Sequence, residues 1–255
     1  MSPHLPIIKS ALVITALLAV AIFSSGQNGG NPAGKKPYIR TGYEDTLSGT
    51  ITLAGKRPKP LIIDMSADPR CNDGNADPTT DWVMGHEGKL ANVFVYIKSE
   101  ALDGYSFEQP TSPAMLEHKG CRYVPHLLGI RVGQPLMILN SDPTIHNTYP
   151  TTRDNKEWNQ SQPVASSAIR AVFDLPETFI PFKDNLHPWE KAYVGVFAHP
   201  FFTISDDFGN YRIEGLPPGH YTVVAWHERF GEKTVEVTLV PGEARDISFN
   251  FEAKK

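Results

Sequence analysis

The sequence predicts an all-β protein built from packed sandwiches, on three observations. Helical periodicity is nearly absent. Short β-rich runs recur along the chain, each bounded by Gly, Pro, Asn or Asp. Twenty-two prolines and twenty glycines punctuate the 255 residues, a density suited to many turns and few helices.

The first stretch is not part of that fold. Residues 1–8 carry His4 and lead into Lys9, followed by the apolar run 11–23 (ALVITALLAVAIF) and then Ser24, Ser25 and Gly26. A basic start, a short apolar run and small residues at its end describe a secretory signal over 1–26, with cleavage after Gly26. The apolar run is short for a membrane span of about 20 residues, so a membrane association requires the segment to be retained as an anchor. The expected location is therefore periplasmic or extracellular. Residues 27–45, rich in Gly, Asn, Pro and Lys at their start, read as a flexible linker. About 210 residues remain, enough for one large or two small domains.

Along that body the strand-like runs are 47–53, 90–98, 129–132, 135–140, 167–174, 192–198, 210–214, 220–227, 233–240 and 245–251. The polar stretch 65–88, with Asp-Pro twice, reads as a long loop, and 177–189 also reads as a loop. The formal net charge is −4 with both signs scattered, which argues against a nucleic-acid surface. No Gly-x-Ser-x-Gly, phosphate-binding glycine loop or His-Glu-x-x-His occurs, and no carboxylates are spaced for acid–base work. The reading is of a protein that is not an enzyme. Two cysteines, Cys71 and Cys121, in an exported chain suggest one disulfide; the alternative is Cys121 as a metal ligand.

The C-terminal part has its own pattern. Asp206-Asp207-Phe208-Gly209-Asn210 is a hairpin turn between alternating runs, and Gly215-Leu216-Pro217-Pro218-Gly219-His220-Tyr221 is a second turn feeding TVVAW. This resembles the carboxypeptidase regulatory-like, or transthyretin-like, sandwich over about 50 residues, with its first Asp-Gly loosened by Phe208. The opening strands of that module have counterparts in Gly49-Thr50-Ile51 and in 91–97 (ANVFVYI), well upstream. The resemblance implies a discontinuous domain, 46–100 plus 201–252, with 101–200 inserted; such insertion is tolerated because domain termini usually lie close together.

The inserted part resembles a cupredoxin. Three stretches carry the likeness: Tyr123-Val124-Pro125-His126 with 130–135, then 139–147 (LNSDPTIHN), then Asp184-Asn185-Leu186-His187-Pro188-Trp189-Glu190 before the run 192–197. A secreted subgroup described as methylamine-utilisation-like combines such a core with the regulatory-like tail, and the sequence looks like that subgroup over most of its body. The resemblance implies a Greek-key sandwich with His146 and His187 as ligands from two loops at one end. It departs from the pattern where the family carries sulfur: Asp184 stands at the Cys position and Glu190 at the Met position. A blue-copper centre needs the copper–thiolate bond, so none is expected. One reading makes His146, His187, Asp184 and Glu190 a site for Cu(II), Zn(II) or another divalent ion. The other makes the site vestigial and metal-free, with Asp184 capping a turn and Glu190 solvated.

The remaining histidines divide as follows. His126 follows Pro125 and could face the site, although a strand-end role is the commoner one. His199 lies one strand length beyond His187 and reads as structural, at the far end of the sandwich. His227 reads as a surface or junction residue, and His86, His118 and His220 carry no usable pattern. Trp189, Tyr193, Phe197, Phe201 and Phe202 read as core and domain seam, with Trp189 alternatively an exposed docking residue for a redox or cell-envelope protein. Three functions follow: an exported metal-binding protein; a metal-free scaffold recognising a glycan or surface partner; and an electron carrier recruiting Cys121, which requires both cysteines to be unpaired.

Overall fold

The structure is a computed structural model that describes residues 34–60, 62–72 and 85–253, so the expected signal segment lies outside the described residues. From the N-terminus come β1 (Lys36–Pro37), β2 (Asp45–Ala54), a helical turn α1 (Pro69–Asn72), β3 (Phe94–Lys98) and β4 (Tyr105–Ser106). The middle supplies β5 (Ala114–His118), β6 (Tyr123–Val124), β7 (Leu127–Arg131), β8 (Leu136–Asn140), β9 (His146–Pro150), β10 (Gln160–Gln162), β11 (Ile169–Ala171), β12 (Glu177–Lys183) and β13 (Lys191–Phe197). The chain ends with β14 (Phe202–Ile204), β15 (Asn210–Leu216), β16 (Gly219–His227), β17 (Gly231–Leu239), β18 (Ala244–Asp246) and β19 (Phe249–Glu252).

The sheets form two sandwiches. One packs the sheet β14-β3-β16-β17 on β15-β2-β18, with β19 also on β2. The other packs the sheet β10-β9-β12-β13-β7 on β11-β8-β5-β6. In β2 the residues alternate, so Leu47, Ile51 and Leu53 enter the first core beside Tyr211, Ile213, Tyr221 and Phe251. Gly49 sits where β2 is crossed closely: a Cβ there would lie 2.0 Å from the Ile247 carbonyl oxygen, so only glycine fits. The second core is built from Leu116, Ile130, Ile138, Phe173, Ile180, Phe182 and Val194.

β3 reads Phe-Val-Tyr-Ile and is buried on both faces. Val95 and Ile97 enter the first core, while Phe94 and Tyr96 turn toward the other sandwich and meet Leu127, Phe197 and Val224. Phe179 stacks on Trp226 across this seam, with ring centroids 3.9 Å apart. The seam is thus a third apolar layer joining the sandwiches, with contact closeness protein interiors require. Tyr193, Phe197 and Phe202 belong to it, and Phe201 belongs to the first core.

Several sequence expectations change. The run 177–189 is not all loop, because Glu177–Lys183 is β12, paired with β13 and β9. Pro181 conceals this strand, since proline lacks the N–H a ladder uses; its carbonyl still accepts from Thr151 N at 2.8 Å. β5 and β9 also form where no run was read. The stretch 65–88 contains the short helix Pro69–Asn72, and its part 73–84 lies outside the described residues. His227 is fully buried, its Nδ1 accepting from Arg229 N at 3.0 Å, and is no surface residue.

Candidate metal centre

Sheet register assembles the site at one end of the second sandwich. β9 begins at His146 and runs antiparallel to β12, which pairs Lys183 with Tyr149. That brings the turn after β12 beside the start of β9, and Asn185 N donates to Asn147 Oδ1 at 3.3 Å. Within the turn, Asp184 Oδ1 accepts from Leu186 N at 2.7 Å and His187 N at 3.1 Å, the side-chain-to-backbone pattern for which aspartate is favoured in turns. Glu190 N donates to the His187 carbonyl at 2.8 Å, closing the turn just before β13. β5 runs parallel to β8 in the other sheet, and its last residue, His118, faces across the core.

The side chains converge. His146 Nδ1 lies 2.8 Å from Asp184 Oδ2 and 3.0 Å from Glu190 Oε2. His187 Nδ1 lies 3.0 Å from the same Asp184 Oδ2. His118 Nδ1 lies 2.7 Å from Glu190 Oε1, and its ring stacks on His146 with centroids 4.4 Å apart. One donor atom each from His118, His146, Asp184 and Glu190 fall within 4.8 Å of one another. His187 joins this set through Asp184. All five residues are buried, at 3% exposure or less.

Each imidazole has an outer partner as well. His146 Nε2 lies 3.1 Å from Asp142 Oδ2, His187 Nε2 lies 3.4 Å from Asp68 Oδ2, and His118 Nε2 lies 2.9 Å from Thr148 Oγ1. Those partners are themselves held. Asp142 accepts from Gly120 N at 2.6 Å and Cys121 N at 2.8 Å, and Asp68 accepts from Thr144 Oγ1 at 2.5 Å. Three rings therefore turn Nδ1 inward, toward Asp184 and Glu190, and commit Nε2 outward.

The electrostatics follow from burial and charge. Burial works against the charged form of His146, yet Asp142, Asp184 and Glu190 together hold its pKa up at about 11. Burial likewise opposes a charged His187, and Asp184 reverses this and raises it. Burial would push Asp184 up, but hydrogen bonds from His146, His187 and Leu186 N hold it far below the carboxylate range. The Thr144 hydroxyl, above all, holds Asp68 down at about 2. Asp184, Asp142 and Asp68, all held low, are thus ionised through the neutral range and favour positive charge beside them.

The residues fit a cation. His146 Nδ1 carries at most one hydrogen, which Asp184 takes at the shorter distance, so Glu190 Oε2 has no hydrogen-bond partner although it lies 3.0 Å away. A buried carboxylate oxygen that shares its one cationic neighbour with Asp184 is incompletely compensated, and a cation at that point would complete the compensation. Donors around a tetrahedral ion with bonds of 2.0–2.1 Å lie about 3.3 Å apart; the contacting pairs here are 2.7–3.0 Å apart and the four donors fall within 4.8 Å, so an ion would open those contacts slightly. The outward Nε2 partners match the second layer that orients metal-binding histidines.

Two candidate ligands are elsewhere. His126 is not at the site: its Nδ1 lies 2.9 Å from the Lys191 carbonyl and its Nε2 2.7 Å from Glu228, because it enters β7 on the side facing the other sandwich. Cys121 is joined to Cys71 in a disulfide, so it offers no thiolate and the electron-carrier reading fails for this state. Trp189 is half-buried, donates from Nε1 to the Cys121 carbonyl at 3.1 Å and packs on the disulfide. His199 donates from Nε2 to the Ile97 carbonyl at 2.9 Å and stands outside the site. Sequence reasoning missed His118, Asp142 and Asp68. Asp142 alone carried a signal, four residues before His146 in the run already singled out.

Residues 185–252 match the family model of the carboxypeptidase regulatory-like domain. The interval includes β13, which hydrogen-bonds within the second sandwich, whereas β2 and β3 of the first lie before it. No curated protein matches the chain. Among solved structures it is similar to a mutant of amicyanin in its Cu(I) state (19% identity, 40% of this chain and 98% of that one, TM-score 0.30). It is also similar to a purple cupredoxin from Nitrosopumilus maritimus (22% identity, 33% and 99%, TM-score 0.28). A copper-containing nitrite reductase from Thermus scotoductus SA-01 overlaps with 35% of this chain and only 23% of its own length, at 18% identity and TM-score 0.31. These overlaps are low, and the reading of the site rests on its own distances. The chain is an all-β protein of two sandwiches whose C-terminal part carries a carboxypeptidase regulatory-like domain.

Proposed function

We infer that the protein is an exported binder of one divalent metal ion, Cu(II) or Zn(II), held in the second sandwich. His146 and His118 supply Nδ1 atoms and Asp184 and Glu190 supply carboxylate oxygens, with His187 holding Asp184 from the other side. One observation carries the reading: three buried rings aim Nδ1 at one carboxylate pair while Asp142, Asp68 and Thr148 occupy their outer nitrogens. Imidazole with carboxylate suits a divalent ion of borderline hardness, and the lack of a thiolate disfavours Cu(I) there. Once bound, the ion would neutralise the carboxylates and hold two loops together. The closed setting favours retention over turnover, since the inner residues are at most 3% exposed and leave no room for a substrate.

The test is calorimetric titration of the chain from Gln27 onward with Cu(II) and Zn(II), beside the His146→Ala, His187→Ala double variant. One tight equivalent in the wild type and none in the variant is expected. Weak or equal binding by both sinks the metal reading and turns attention to glycans and surface partners.

A further inference from the structure

The Cys71–Cys121 disulfide lies against the metal centre, and the proposal above gives it no part. One sulfur of each cysteine and one nitrogen of His187 all fall within 4.8 Å of one another. The Cys121 sulfur is also within 4.8 Å of donors on Asp142 and His146. The pair is walled by Ile63, Met65 and Trp189, with Cys71 at 0%, Cys121 at 1% and Met65 at 1% exposure. The surroundings are apolar and sulfur-rich on this side of His187, and carboxylate-rich on the other.

We propose that reduction of this disulfide creates a second, soft metal site, in which the Cys71 and Cys121 thiolates and a His187 nitrogen take up one Cu(I) ion. Thiolates select monovalent copper over hard ions, and an apolar wall excludes the water that would hydrate it. The step balances with a dithiol as reductant. Its two thiols become a disulfide, two electrons and two protons pass to the Cys71–Cys121 bond, and two thiols result. Binding of Cu(I) then releases the two thiol protons. No electron passes to or from copper, so the site captures metal and does not carry current. The donors are already gathered by the fold; the two sulfurs must part, and the His187 nitrogen that turns to copper must release its carboxylate, the longer contact being Nε2 with Asp68 at 3.4 Å.

The experiment compares the full chain, disulfide-bonded and after anaerobic treatment with dithiothreitol and its removal, for Cu(I) uptake from a chromogenic Cu(I) chelator. The reduced chain is expected to withdraw one equivalent, with copper–sulfur scattering in its X-ray absorption spectrum, and the disulfide-bonded chain none. His187→Ala, which keeps both sulfurs, should bind at least tenfold more weakly; Cys71→Ser with Cys121→Ser should not bind. If the serine variant fails to fold, the alanine variant still decides. No uptake by the reduced chain, or uptake with only nitrogen and oxygen neighbours, overturns the proposal. Asp184→Asn separates the two sites: it should lose Zn(II) yet keep Cu(I) uptake after reduction. Cu(I) uptake in a chain that never binds Zn(II) refutes the divalent site alone.

Discussion

Asp184→Asn is the sharpest single change. Asp184 Oδ1 accepts two backbone N–H groups, so the amide oxygen must take that place and the amide nitrogen must face His146 and His187. Two charge-assisted bonds, at 2.8 and 3.0 Å, then become donor-against-donor contacts between buried side chains. Breaking a buried ion pair by removing one partner costs about 3–5 kcal/mol, because the other charge stays buried and uncompensated. At about 2–4 °C per kcal/mol for a body of this size, the ion-free variant should melt roughly 6–20 °C lower. The penalty has a pH signature. The raised pKa of His146 means its contribution is fully present below about 6.5 and declines as pH rises toward about 11. The gap between wild type and variant should therefore narrow from pH 6 to pH 9. Urea unfolding of both proteins in a chelator, at those two pH values, measures it. A variant within about 1 kcal/mol of wild type, or a gap that widens with pH, would refute the ion-pair account of the cluster.

Other outcomes follow from the same geometry. Zn(II) must displace the proton that the carboxylates hold on His146, so its binding enthalpy should vary with buffer ionisation enthalpy by at least about one proton per ion at pH 7; no dependence would place the ion elsewhere. His199 is a neutral ring, donating from Nε2 to the Ile97 carbonyl and accepting Phe201 N at Nδ1. Burial pulls its pKa down to about 4, Arg131 nearby adding to this and Asp103 opposing it. Its folded value is below its unfolded one, so stability is full above about pH 6.5 and falls by roughly 2 kcal/mol toward pH 4.5. In urea titrations at both pH values, His199→Gln should lose less on acidification than wild type, and equal losses would assign the acid sensitivity to other groups. Gly49→Ala drives a Cβ to 2.0 Å from a backbone oxygen and should cost more than about 3 kcal/mol or abolish soluble expression; a near-neutral variant would mean that β2 and Ile247 can part.

Much of the chain was legible in order. Turns fall at 206–210 and 215–219 as read, but each carries the chain from one sheet to the other, β14 to β15 and β15 to β16, so 206–210 is not the hairpin expected; β15 alternates as read, because period-two burial is written locally. His146 and His187 stood out as loop residues at one end of a sandwich, and Asp184 and Glu190 as polar replacements beside them. β12 escaped notice because Pro181 breaks its local signature, while pairing on both sides stabilises it.

By itself the sequence determined that the protein is all-β, that turns fall at its Gly, Pro and Asp clusters, and which residue types the two loops carry. The tertiary structure alone decided which of those residues meet. His118 reaches Glu190 across 72 positions, and Asp68 reaches His187 across 119. Those contacts depend on strand order, on the parallel pairing of β5 with β8, and on the packing of one sheet against another. None of these leaves a periodic trace in the residues concerned. The same holds for Gly49, whose necessity comes from a backbone 198 residues away. Local propensity records what each segment prefers; the His and carboxylate cluster exists only where segments that have no local reason to be neighbours are forced together by burying their apolar faces.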